Sequence, residues 1–167
     1  MKGVLILEFL VVRDEIEKAV KEQKIDRKRF FEVSKQSYGQ IIKKIETAFV
    51  SRGGGIHWAN MGYYRPELKC VFKVLDDWDS WYKRLPNVVP APDAPVYALF
   101  EDNGGVDKIT RTEKYWLYEA CLPELLLVIS ETIWGDFYIV SKKYDWLISI
   151  NHHNCISYVG ESLNMEG

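Results

Sequence analysis

Between Arg13 and Lys24 the apolar residues Ile16, Ala19 and Val20 recur three and four apart with charges between them. That period predicts an amphipathic helix. Asp26 is placed to cap a second helix, because its carboxylate can accept an otherwise unpaired amide one turn in. The apolar residues Phe30, Phe31, Ile41, Ile42, Ile45, Ala48 and Phe49 carry that helix to about Val50. Gly39 lies inside it and costs about 1 kcal/mol relative to alanine, enough for a break there. Gly53-Gly54-Gly55 should stop it.

After the glycines the period changes from helical to alternating. Leu68 to Leu75 has the β-branching of a strand, and Asp76 to Leu85 reads as a short helix with Trp78, Trp81, Tyr82 and Leu85 on one face. Pro95 introduces a strand from Val96 to Glu101, and Asp102-Asn103-Gly104-Gly105 makes a turn. Lys114 to Tyr118 is a further strand. Leu122 to Ile133 is a strongly apolar helix with Pro123 in its first turn and Gly135 at its end. Strands at Phe137–Ser141, Trp146–Ile150 and Cys155–Val159 complete the pattern. Helices first, then short strands with one buried helix among them, predict an α+β fold with a mainly antiparallel sheet.

The chain has 167 residues, 47% hydrophobic and 14% aromatic, which suits a core of useful size and excludes disorder. Its 22 basic and 24 acidic residues leave a net charge of −2, so no nucleic-acid partner is expected. The charge is uneven: residues 1–92 hold 17 basic and 12 acidic residues, and residues 93–167 hold 5 and 12. The sign changes at Pro86, Pro90, Pro92 and Pro95. Each half is short for a core of its own, so the prolines read as a stiff connection inside a single domain, residues 1–167.

The apolar run Val4–Val12 is interrupted by Glu8 and too short to span a bilayer, and no small-residue cleavage site follows it. No membrane partner is expected. Cys70, Cys121 and Cys155 are odd in number and far apart, unlike a disulfide framework or a zinc knuckle, and suit a reducing cytoplasm.

Most catalytic patterns fail on their spacing. Arg52-Gly53-Gly54-Gly55 is followed by Ile56-His57-Trp58 rather than by the Lys and Ser/Thr of a phosphate loop, and no strand precedes it as a dinucleotide fingerprint requires. His57, His152 and His153 could hold zinc or iron, but neighbouring strand residues point to opposite faces, so His152 and His153 can share a metal only if the chain bends. Asn151 and Asn154 make such a turn reasonable. No metal or other cofactor is therefore assigned. Cys155, two residues from His153, could form a thiolate–imidazole pair, with no third group identified. Carboxylate pairs such as Asp76-Asp77 and Glu101-Asp102 fall at helix starts and turns, where capping explains them. No catalytic residue is assigned.

A surface reading remains. Six tryptophans and ten tyrosines exceed what a core this size needs, and several sit beside charges, as interface anchors do. The candidate binding residues are Trp78, Trp81, Tyr82, Asp136, Tyr144, Trp146, His152 and His153. The acidic second half would steer a basic protein partner.

The stretch Tyr138-Ile139-Val140-Ser141-Lys142-Lys143-Tyr144-Asp145-Trp146-Leu147, followed by Asn151-His152-His153, resembles the ending of a family of small uncharacterised bacterial proteins. Val96–Asp102 and Tyr115–Glu119 extend that likeness to a little over a third of the chain. The resemblance implies no catalytic residues, because that family has no established activity. In layout the chain also resembles the SUKH superfamily of bacterial immunity proteins, although the Gly-rich opening motif of that superfamily is not evident. This second likeness implies a non-enzymatic, cytoplasmic inhibitor that binds a bacterial toxin, such as a basic toxin domain. The alternative is a small metal-dependent or cysteine enzyme centred on His152 and His153.

Overall fold

The computed structural model describes residues 12–51, 64–101, 115–132 and 136–165. Gly53–Gly55, His57, the 102–105 turn and Gly135 lie outside them, as does the apolar run up to Val11. The elements in chain order are α1 (Val12–Glu22), β1 (Phe30–Glu32), α2 (Lys35–Phe49), β2 (Cys70–Val74), a 3-10 turn (Trp81–Arg84), α3 (Leu85–Val88), β3 (Val96–Glu101), β4 (Tyr115–Ala120), α4 (Leu122–Glu131), β5 (Phe137–Ser141), β6 (Leu147–Ile150) and β7 (Cys155–Val159). The fold is α+β, with helices at the start and one antiparallel sheet in the order β1-β4-β3-β5-β6-β7-β2. Strands from both sides of the proline cluster lie in that sheet.

Alternation along the strands gives the sheet two apolar faces. On one face Ala98, Phe100, Tyr118, Phe137, Ile139, Ile148, Ile150 and Ile156 pack under α1, α4 and the segment that contains Trp81, Leu85 and Val88. On the other face Tyr97, Leu99, Leu117, Tyr138, Val140, Leu147 and Val159 pack against Ile45 and Phe49 of α2 and against Tyr64. Each fully buried large side chain of this kind contributes about 1.5–3 kcal/mol. The central strands are buried on both faces, which is why β5 opens with a continuous apolar run, Phe137 to Val140, and why Ser149, the polar residue inside β6, is held by the Tyr64 hydroxyl at 3.3 Å.

Three elements differ from their sequence expectation. Asp26 does not cap a helix: its carboxylate accepts the Lys28 amide at 2.9 Å, and its carbonyl closes a turn onto Arg29 and Phe30. Phe30 can then run extended beside Ala120, stacked on Tyr118 at 5.0 Å. A local turn and a distant strand together outweigh helical propensity here. The cap belongs instead to Ser34, whose hydroxyl accepts from Ser37 N, and α2 runs unbroken past Gly39. The expected Asp76–Leu85 helix is a turn closed on the Asp77 carbonyl, then the 3-10 turn, then α3 with Pro86 in its opening turn. α4 is amphipathic rather than wholly buried, since Leu127 faces solvent.

Some of the acid of the second half is paired or buried on folding. Glu124 pairs with Arg29 from the basic half, Glu119 meets Lys142 at 2.6 Å, and Asp136 is buried. No helix among the described residues is long and apolar enough to cross a membrane.

Candidate functional site

The β6–β7 connection, Asn151 to Asn154, is built around one buried amide. Asn151 is 2% exposed, and its Oδ1 accepts from His153 N at 2.8 Å and Cys155 N at 3.0 Å. Its own N–H donates to the Cys155 carbonyl, and Asn154 closes the turn at φ 59°, a conformation that asparagine tolerates better than most residues. The tight bend lifts His152 and His153 off the sheet, with ring centroids 4.0 Å apart.

A second buried group reaches this turn from the start of β5. Asp136 is 6% exposed, and its Oδ1 accepts both the backbone N–H of His152 and the His152 Nδ1, each at 2.9 Å. Its Oδ2 lies 3.2 Å from the same nitrogen. An ionised carboxylate only accepts, so Nδ1 carries the proton and the neutral ring has its lone pair on Nε2. The His152 side chain is 52% exposed. The result is an imidazole at the surface whose tautomer and direction are set by a buried acid.

The aromatic segment lies beside this turn. Leu75 N donates to the Asn154 carbonyl at 2.7 Å, which ties the end of β2 to the turn, and Trp81 packs on Phe137, the residue after Asp136, at 5.9 Å. Trp78 and Tyr82 flank Trp81 at 6.4 and 5.9 Å. Trp81 is buried, whereas Trp78 and Tyr82 are only partly covered. Arg84 pairs with Asp77 at 2.9 Å, and Asp76 and Asp79 are exposed around them. Burial pushes the Tyr158 hydroxyl up in pKa, with Arg84 acting against that and Asp77 with it.

The eight candidate residues therefore divide. Trp78, Trp81, Tyr82, Asp136, His152 and His153 gather at one corner of the sheet. Tyr144 and Trp146 lie at its other end, where Tyr144 packs on Tyr97 at 6.1 Å with Lys44 Nζ 5.8 Å from its ring. Trp146 is buried in the first core. The Cys155 thiol donates to the His153 carbonyl at 3.4 Å, so its contact is with backbone and not with the imidazole. Among the described residues no three His, Cys, Asp or Glu side chains are grouped to hold a metal.

The match to a family model spans residues 8–166, nearly the whole chain. The chain belongs to DUF6756, a family of unknown function. No curated protein and no solved structure matches it. Membership in DUF6756 assigns no residue a role, so the site rests on its geometry. Sequence reasoning read Asn151 only as a turn residue and did not pair Asp136 with His152. The flanking asparagines signalled the first; a separation of sixteen positions concealed the second.

Proposed function

We propose that this chain is a non-enzymatic protein-binding domain, an immunity-type inhibitor in the manner of the SUKH superfamily, acting in a bacterial cytoplasm. The supporting observation is the corner where partly covered Trp78 and Tyr82 flank Trp81, which packs on Phe137 beside Asp136, the residue that holds the exposed His152, with Asp76 and Asp79 exposed nearby in the chain. Rigid aromatics beside polar groups held in place lose little freedom on binding. At this corner the exposed Asp76 and Asp79 add to the acid of the second half that would steer a basic toxin domain. The second reading, an enzyme centred on His152, draws on Asp136, which leaves Nε2 as the basic nitrogen.

Stoichiometric capture of a basic protein from the host lysate, followed by titration of variants, tests the binding reading. Trp78→Ala, Tyr82→Ala and Asp79→Lys should each weaken the complex about tenfold or more, and Tyr144→Ala less than about threefold. Equal effects at the two ends, or a purified chain that carries near-stoichiometric metal, would count against it.

A further inference from the structure

One candidate residue is left unused by the binding reading: Tyr144, in the β5–β6 turn. Its backbone is left-handed, at φ 57°, where the β6–β7 turn places Asn154 at φ 59°. Asparagine or glycine is usual in that conformation, and a residue as large as tyrosine is strained there. Strain of this kind persists only where the surroundings hold it, and it gathers at binding sites. Tyr144 is only partly covered, so core packing alone is a weak reason for it.

The phenol is surrounded by positive charge delivered from separate elements. Its ring packs on Tyr97 of β3 at 6.1 Å. Lys44 of α2 places its ammonium 5.8 Å from the Tyr144 ring, and Lys142 places its own 5.5 Å from the Tyr97 ring. Burial, and then the neighbouring Tyr97, push the Tyr144 hydroxyl up in pKa, while Lys44 and Lys142 both pull it down. Both ammoniums therefore act on one hydroxyl. Lys142 is answered by Glu119 of β4 at 2.6 Å, whereas Lys44 meets no carboxylate among the described residues. Lys143 and Asp145, both exposed, flank Tyr144 in the chain, and Lys43 and Glu46 of α2 add one charge of each sign. The sum around the hydroxyl stays positive.

Two ammoniums and a phenol O–H can all donate to a single anion. Donors on separate elements suit the three terminal oxygens of a phosphate better than the two of a carboxylate, and lysine serves phosphate as a point charge. We infer that Lys44, Lys142 and Tyr144 form a binding site for a phosphate group, free or esterified on a small molecule. The site lies at the end of the sheet away from His152, and the inference is independent of the binding reading above.

Amide shifts of the ¹⁵N-labelled full chain, titrated at constant ionic strength with inorganic phosphate, phosphoserine and phenyl phosphate, test it. At least one of the three should move the amides of Lys44 and of residues 142–145 saturably, with Kd of about 0.1–2 mM. The tightest of them names what carries the phosphate. Benzoate, the carboxylate control, should bind about fivefold more weakly or worse. Tyr144→Phe keeps the ring and the backbone and removes only the hydroxyl; Lys44→Gln removes the cation that has no carboxylate. Each should weaken binding about threefold or more, and the pair about tenfold, with thermal melting little changed. Should Lys44→Gln melt lower, Tyr144→Phe carries the test. No saturation by any of the three at about 10 mM, benzoate binding as tightly as phosphate, or an affinity that Tyr144→Phe leaves unchanged would each overturn the inference.

Discussion

Two hairpin turns at opposite ends of the sheet share one local device and use it differently. In the β5–β6 turn, Ser141 Oγ accepts the amide two residues on, Tyr144 N donates back to Ser141 O, and Tyr144 sits at φ 57°. In the β6–β7 turn, Asn151 Oδ1, Asn154 N and Asn154 at φ 59° occupy the same three roles. What differs is the element that arrives from elsewhere. The first turn is backed by Gly160, at φ 120°, where an added Cβ would lie 2.5 Å from Asp145 O and 3.0 Å from Trp146 Cα. The second is backed by the Asp136 carboxylate. Close backbone packing makes one end a structural closure; a buried acid makes the other a display of oriented imidazole. Local turn chemistry is common to both, and the distant partner decides what each end can do.

The largest lesion to this contrast should be Gly160→Ala, which combines a disfavoured φ with a backbone collision. It is expected to lower stability by about 2–4 kcal/mol in urea denaturation. A loss below about 1 kcal/mol would show that the first turn is not closed by that contact. Next comes Asn151→Ala, which strands two partly buried backbone amides and should cost about 2 kcal/mol, against about 1 kcal/mol for Ser141→Ala, which strands one. Equal costs in the same assay would erase the distinction between the turns. The smallest effect on stability, within about 1 kcal/mol, should come from Asp136→Asn. Its signature is chemical: an amide can donate to Nδ1, so the neutral His152 ring should shift towards the Nε2–H tautomer. Imidazole nitrogen shifts at about pH 8 read this directly, and an unchanged tautomer would remove Asp136 as the orienting group.

The sheet was legible in the sequence wherever a run was either continuously apolar or plainly alternating. β3, β5 and β7 fall where periodicity places them, because burial on both faces demands those residues whatever the neighbours. Phe30 was not legible. It is apolar and follows a good capping residue, and only its pairing with Ala120, ninety positions on, makes it a strand. The site was half legible for the same reason. Asn-His-His-Asn announces a tight turn from local chemistry alone, whereas the acid that orients His152 is supplied by sheet order, which no local window contains. Charge pairing between the halves was not legible either: Arg29 and Glu124, far apart in the chain, meet only once the fold brings them together.

The sheet order carries a further consequence for how the protein is made. Strands β3 to β7 pair with near neighbours in the chain, but β1 pairs with β4, and β2 pairs with β7, the last strand. Both outer strands are synthesised well before their partners. A chain growing on the ribosome therefore holds Phe30 and the Cys70–Val74 strand without their sheet neighbours until the late strands emerge, and loop closure over such separations is slow. Chains halted before Cys155–Val159 should be cut by protease within Cys70–Val74, and chains halted after it should resist. Strands translated well before their partners are thus among the last to find their places.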